Sequence, residues 1–181
     1  EIDSYAFNRC QNLSSITLPK NLKTIGNYVF TDCFQLTDVS IPNGVVTIGN
    51  FAFCRCKALT EIRLPDSVTT IGTGAFSDCE QLEFIKLPAG ISSINQSLFE
   101  DCKRLNNVVI PDGVISIGEC AFSDCENLEN ITLPGNLETI GFRAFNNCTA
   151  LKAMTFPEKL KKLSWEIFAA CTNLRELHFT G

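Results

Sequence analysis

The 181-residue sequence has a single histidine and little excess of charge, with 15 lysines and arginines against 20 aspartates and glutamates. A net charge of −5 argues against a nucleic-acid or anionic-membrane binder, because phosphate contact needs clustered Lys and Arg. No run of 18 apolar residues is present, which argues against direct membrane insertion. Gly-rich phosphate loops and C-x-x-C pairs are also absent, so the sequence indicates neither a nucleotide-binding loop nor a structural zinc site.

The shortage of histidine also argues against catalysis. His178 lies on the last predicted strand, whereas a Cys–His or Ser–His dyad needs a buried base that a third group orients. No orienting partner for His178 is evident in the sequence. We therefore predict an exposed histidine, no catalytic residues, no cofactor and a protein that is not an enzyme.

Cysteine, in contrast, is abundant, and eight of the ten cysteines recur every 23 residues without a slip. Phenylalanine stands three residues before each of the eight, and leucine stands three residues after it. A fixed period of this length predicts a solenoid, because each unit can bury its apolar sides only by stacking on its neighbours. The repeating cysteines are Cys10, Cys33, Cys56, Cys79, Cys102, Cys125, Cys148 and Cys171.

One unit reads L-x-x-I-x-L-P-x-x-V-x-x-I-G-x-x-A-F-x-x-C, as in residues 59–79. The alternation Ile62-Arg63-Leu64 predicts a short strand, and Pro65 ends it because proline has no backbone N–H. The Ala-Phe-x-x-Cys spacing predicts a turn or a 3₁₀ segment. The recurring glycine predicts a position with positive φ or a close backbone approach. Asn95 and Ser164 replace it in two units, and asparagine tolerates positive φ better than most residues.

This pattern resembles the BspA-type leucine-rich repeat, also called the Treponema-type repeat, in seven consecutive registers over essentially the whole chain. The resemblance implies a right-handed, β-rich solenoid of the α/β horseshoe type. It also implies a parallel sheet on one face, with short turns or 3₁₀ segments on the other. The family is common among bacterial surface and secreted proteins, some of them adhesins, and occurs in some parasitic protists. The resemblance therefore implies an extracellular or cell-surface location.

We expect residues 1–181 to form a single leucine-rich-repeat domain of about eight units. Residues 2–7 align with residues 25–30, so the first unit lacks its strand, and Thr180 stands where the last proline would be. Because solenoids usually need polar capping units, we expect a fragment of a longer protein. Open ends also favour end-to-end stacking or a weak homodimer.

Ten cysteines in a short chain would usually suggest a disulfide framework. Cysteines one unit apart, however, have parallel Cβ vectors, whereas a disulfide needs converging ones. We expect the repeating cysteines to be free and buried as small apolar side chains. Cys54 and Cys120 lie outside the repeat and are either reactive or incidental.

A row of aspartates directly precedes four of the repeating cysteines. Arginine, asparagine or alanine takes the same position in the other units, so the row is interrupted. We expect solvated turn residues here and no metal site, because calcium needs several converging oxygen ligands. The aspartates are Asp32, Asp78, Asp101 and Asp124.

Two outward-facing positions on each predicted strand are not fixed by the repeat. Parallel stacking places equivalent positions side by side, so these positions form two columns on the sheet face. The first column contains Ser15, Asp38, Glu61, Phe84, Asn107, Asn130, Ala153 and Glu176. The second contains Thr17, Ser40, Arg63, Lys86, Val109, Thr132, Thr155 and His178.

The middle of these columns departs from the small polar residues found elsewhere in them. Phe84 and Val109 are apolar, and Arg63 lies beside Lys86 as an unfavourable pair of like charges. An exposed apolar patch with basic edges is typical of an interaction site. We therefore predict a ligand-binding site, without metal, formed by Phe84, Lys86, Arg63, Val109, Glu61 and Asn107. Ordinary scatter of exposed apolar residues is the alternative.

The sequence and the resemblance together predict an adhesin-like binding module that engages a host or neighbouring-cell protein or glycan through the sheet face. Two alternatives remain open. One is a structural spacer that has no ligand of its own, and the other is an intracellular scaffold for protein–protein assembly. The spacer predicts tolerance to charge changes on the sheet face, whereas the binding module predicts sensitivity at Phe84 and its neighbours.

Overall fold

Coils of 23 residues stack in register into a parallel β-solenoid of about seven turns with no helix, in a computed structural model that describes Glu1–Gly181. This confirms the predicted solenoid. The strands on the face that carries the two columns, here called the sheet face, are β1 (Ser15–Thr17), β3 (Asp38–Ser40), β6 (Phe84–Lys86), β8 (Asn107–Val109), β11 (Ala153–Phe156) and β13 (Glu176–Phe179).

A second set of two-residue strands follows the proline turn of each unit. Every pairing is parallel and joins a residue to the one 23 positions later, as Ile48 pairs with Ile71. These strands are β2 (Thr24–Ile25), β4 (Thr47–Ile48), β5 (Thr70–Ile71), β7 (Ser93–Ile94), β9 (Ser116–Ile117), β10 (Thr139–Ile140) and β12 (Lys162–Leu163).

Between the strands lies one core of 47 buried residues, built from columns of like side chains. The phenylalanines from Phe7 to Phe168 stack ring on ring, with centroids 5.1–5.9 Å apart. Each cysteine from Cys33 to Cys171 donates its S–H to the carbonyl oxygen of a phenylalanine in the preceding unit, at 3.0–3.3 Å. The cysteines are free, and those from Cys33 to Cys148 in the column are buried, as predicted, whereas Cys10 is exposed and Cys171 is half-buried.

The recurring glycine is explained by close approach and not by positive φ. A Cβ added at Gly49, Gly72, Gly118 or Gly141 would lie 2.5–2.6 Å from backbone of the preceding unit. The suggestion that Asn95 adopts positive φ is wrong, since its φ is not among the positive ones. The ladder instead breaks between β5 and β7 at this unit, and the Asn95 amide donates to the carbonyl oxygen of Ile71 at 2.6 Å.

Positive φ occurs at two other positions of each unit, and this makes the Ala-Phe-x-x-Cys segments turns and not 3₁₀ helices. One of the two positions directly precedes the cysteine, which explains the aspartate row because Asp and Asn tolerate the left-handed conformation better than most residues. Asp32 differs from the solvated residue we expected. It is buried and pairs with Arg55 at 2.9 Å and with Arg9 at 3.7 Å.

The sheet face is interrupted twice along the solenoid. Hydrogen-bonded ladders join β1 to β3, β6 to β8 and β11 to β13. Between these ladders, residues 62–64 and 130–133 make no backbone–backbone hydrogen bond, and Glu61 forms only an isolated bridge to Phe84. The sheet face is therefore three short ladders separated by two stretches of unpaired backbone.

These interruptions predict a contrast in amide hydrogen exchange. Leu64 and Leu87 are equivalent residues one unit apart, but only the Leu87 N–H is bonded, to the carbonyl oxygen of Val109 at 3.1 Å. We expect the Leu64 amide to exchange about tenfold faster or more, because no hydrogen bond has to open before it exchanges. Residue-resolved exchange followed by NMR measures both amides, and equal rates would show that the sheet is continuous in solution.

Candidate functional site

The candidate site is built on β6 and β8 in the middle of the sheet face. The parallel register pairs Phe84 with Asn107 and Lys86 with Val109, and the isolated bridge places Glu61 beside Phe84. Arg63, two residues after Glu61, continues the column of Lys86. The structure therefore brings together the six residues predicted from the sequence.

All six side chains are exposed, and the two apolar ones are conspicuous. Phe84 is 42% exposed and Val109 is 44% exposed, while Ile85 and Val108, which alternate with them, point into the core. Because the inward residues of both strands are buried, the strands form a fixed base. The outward side chains are therefore held at a spacing set by the ladder, about 4.8 Å between strands.

The two cations of the site have little compensation from nearby carboxylates. Arg63 lies 3.7 Å from Glu61 on its own strand, and Lys86 forms no ion pair. Adjacent like charges on a sheet are unfavourable. The arrangement leaves two cations available to an anionic group from outside.

A cleft of about 440 Å³ lies beside the cations, at the interruption between β3 and residues 61–65. Polar side chains of Asp38, Ser40, Asn43, Glu61 and Arg63 line it. A second cleft of about 510 Å³ opens at the other interruption and is lined by residues 106–108 and 129–132. The sequence did not indicate either cleft, because these units match the repeat pattern as well as their neighbours do.

His178 is exposed on β13, as predicted, but it has a partner that the sequence analysis missed. Its Nε2 lies 3.2 Å from Oε2 of Glu176, two residues earlier on the same side of the strand. The alternation of side chains along a strand was the available signal. No group of three His, Cys, Asp or Glu side chains is placed to hold a metal ion.

The two cysteines outside the repeat are not activated nucleophiles. Cys54 is buried, and this burial raises the pKa of its thiol to about 11. Burial also raises the pKa of the half-buried Cys120, and the carboxylates of Glu100 and Glu119 raise it further. Because the thiolate is the reactive form, both thiols are less reactive than a free cysteine.

The stacked coils, with their internal columns of phenylalanine, cysteine and leucine, define a leucine-rich-repeat protein. The family model of the BspA type leucine rich repeat region matches residues 1–106 and 92–181, with six copies, and the chain belongs to this family. The repeat indicates a protein-interaction module, and the family and its structural neighbours are generally non-enzymatic binding modules. No helix in the structure combines the length and apolarity needed to cross a membrane.

Solved structures of bacterial leucine-rich-repeat proteins share the fold. The T. pallidum leucine rich repeat protein is 33% identical, with a TM-score of 0.75 over 83% of this chain and 70% of that one. A leucine-rich repeat protein from Bacteroides ovatus is 27% identical, with a TM-score of 0.61 over 98% of this chain and 57% of that one. The chain thus spans between 57% and 70% of these relatives' lengths. A search of curated proteins gave no match.

Proposed function

We propose that this chain is a non-enzymatic, adhesin-like binding module of a cell-surface or secreted protein. Its ligand is a protein or glycan of a host or a neighbouring cell, bound through the sheet face. The observation that carries the proposal is the exposed pair Phe84 and Val109 next to the unpaired cation Lys86. Exposed apolar groups rimmed by charge on a fixed strand base are typical of interaction sites. Membership of the repeat family supports a binding role.

The test is binding to immobilised extracellular-matrix proteins and to a glycan panel. The variant Phe84→Ala/Arg63→Glu/Lys86→Glu should bind about tenfold more weakly or worse, because it removes the apolar anchor and reverses both cations. The variant should still fold, with a loss of about 1 kcal/mol of stability, because both cations are exposed and Phe84 is 42% exposed.

A matched control reverses two cations outside the columns. Lys20→Glu/Lys23→Glu alters the net charge by the same amount at exposed positions between β1 and β2. This variant should bind like the unmodified chain. Equal binding by the unmodified chain and the triple variant, or no binding by either, would contradict the proposed site and favour a spacer.

A further inference from the structure

The charges of the sheet face are separated by sign around the first cleft. In the first column Asp38 and Glu61 are neighbours, and in the second column Arg63 and Lys86 are neighbours. The two members of each pair lie one unit apart and carry charge of the same sign. The surface therefore has an acidic side and a basic side, separated by two residues along a strand, or about 7 Å.

At the turns, many charges stacked one unit apart have opposite signs and form ion pairs, although Asp78, Asp101 and Asp124 share one sign. Five such pairs have N–O distances of 2.6–2.9 Å, namely Arg55–Asp32, Lys57–Glu80, Arg143–Glu166, Lys152–Glu129 and Lys161–Glu138. On the sheet face, Asp38 and Lys86 form no ion pair, and Arg63 and Glu61 are 3.7 Å apart. Stacking thus pairs opposite charges at the turns, whereas on the sheet face it leaves Asp38 and Lys86 without an ion pair.

Apolar surface and unpaired backbone complete this region. Phe84 is exposed on β6, the strand that carries Lys86, and Val109 is exposed on the neighbouring strand β8. The backbone N–H and C=O groups of residues 62–64 have no backbone partner, and they border the cleft of about 440 Å³. Unpaired strand groups of this kind can hydrogen-bond to an extended peptide main chain.

We infer that the ligand of the sheet face is a polypeptide segment that presents an acidic, a basic and an apolar side chain together. The acidic group pairs with Arg63 and Lys86, the basic group with Asp38 and Glu61, and the apolar group packs on Phe84 and Val109. This inference rests on the proposed function and selects between its two ligand classes. An acidic glycan carries charge of one sign, so Asp38 and Glu61 would repel it.

The test uses selection from a library of 12-residue peptides in which one leucine is flanked by Glu, Lys or Ser in every order. The unmodified chain should select peptides that carry both Glu and Lys, and their binding should weaken at high salt because the charges are exposed. The variant Asp38→Lys/Glu61→Lys/Arg63→Glu/Lys86→Glu has the same net charge with the two sides exchanged. It should bind the selected peptides at least about tenfold more weakly and should select the sequences with Glu and Lys exchanged.

Three outcomes would overturn the inference. The first is selection of purely acidic peptides, or equally tight binding of a sulfated glycan such as heparin, with no effect of reversing Asp38 and Glu61. The second is unchanged peptide preference in the exchanged variant. The third is no enrichment over a scrambled library. None of these outcomes decides the proposed function, which the protein and glycan panel tests with the Phe84→Ala/Arg63→Glu/Lys86→Glu variant. The two proposals can therefore fail independently.

Discussion

Raising the pH from about 9 to 11 is expected to unfold the solenoid, because its core contains a column of neutral thiols. Burial raises the pKa of the Cys33 thiol to about 11, with a further contribution from Cys10. The pKa values of Cys56, Cys79, Cys102 and Cys125 lie well above the ordinary range, again chiefly because of burial. In the unfolded chain the pKa of these thiols would be about 8.5.

The sign of the effect follows from proton binding in the two states. Above the unfolded pKa the unfolded chain has released the thiol protons, while the folded chain still holds them, so stability falls as pH rises. The stability that the buried neutral thiols contribute is fully present below about pH 8.5 and is lost as the pH rises through their pKa values in the folded state. Each thiol changes the free energy of unfolding by about 1.4 kcal/mol per pH unit. Five thiols give on the order of 6 kcal/mol between pH 9 and 10, which is comparable with the whole stability of a typical domain.

Urea denaturation under reducing conditions at pH 7, 9 and 10 measures this dependence. The double variant Cys79→Ala/Cys102→Ala is the control, because both thiols are fully buried. Their loss should reduce the dependence of the free energy of unfolding on pH by the equivalent of about two protons. The control will be less stable at pH 7, so the slopes and not the absolute stabilities are compared. Identical slopes would contradict the assignment of alkaline instability to the cysteine column.

The sequence predicted the features that stacking fixes. A side chain such as Phe76 or Cys79 repeats every 23 residues because it contacts its own counterparts above and below, so its burial follows from the period alone. The two columns of the sheet face were predictable for the same reason. The pairing of Lys86 with Val109 confirms their register.

The features that depend on the geometry of stacking were not predictable. Residues 62–65 and 131–134 carry the same Ile-x-Leu-Pro pattern as residues 16–19, yet only the last of these segments begins in a hydrogen-bonded ladder. The interruptions therefore arise from how successive coils fit together and not from a local residue. The weak pairing of Arg63 with Glu61 likewise depends on side-chain conformations that no spacing reveals.

Gly72 shows both the ambiguity of the pattern and how the structure resolves it. A recurring glycine fits either positive φ or a close approach, and only the second holds here. The nearest atoms to a Cβ at Gly72 include the backbone N of Asn50 at 2.5 Å and the backbone C of Gly49 at 2.6 Å. Because these are backbone atoms, no side chain can rotate away to make room.

Gly72→Ala is therefore expected to destabilise the protein by about 3 kcal/mol, near the upper end of the usual cost of overpacking. The added methyl group would push two coils apart and lengthen the hydrogen bond from the Gly72 N–H to the carbonyl oxygen of Ile48, now 2.9 Å. Two units without this glycine differ: the ladder between β5 and β7 is lost at Asn95, whereas at Ser164 the ladder between β10 and β12 persists and the Ser164 N–H donates to the carbonyl oxygen of Ile140 at 3.1 Å.

Gly135→Ala is the matched control, because a Cβ at Gly135 would meet nothing within 4 Å and its φ is not positive. That variant should be neutral or more stable by about 0.5 kcal/mol, through the lower entropy of the unfolded chain. Urea denaturation of both variants measures the difference. If Gly72→Ala were as stable as Gly135→Ala, the coils would have to be further apart in solution, and close approach would no longer explain why glycine recurs.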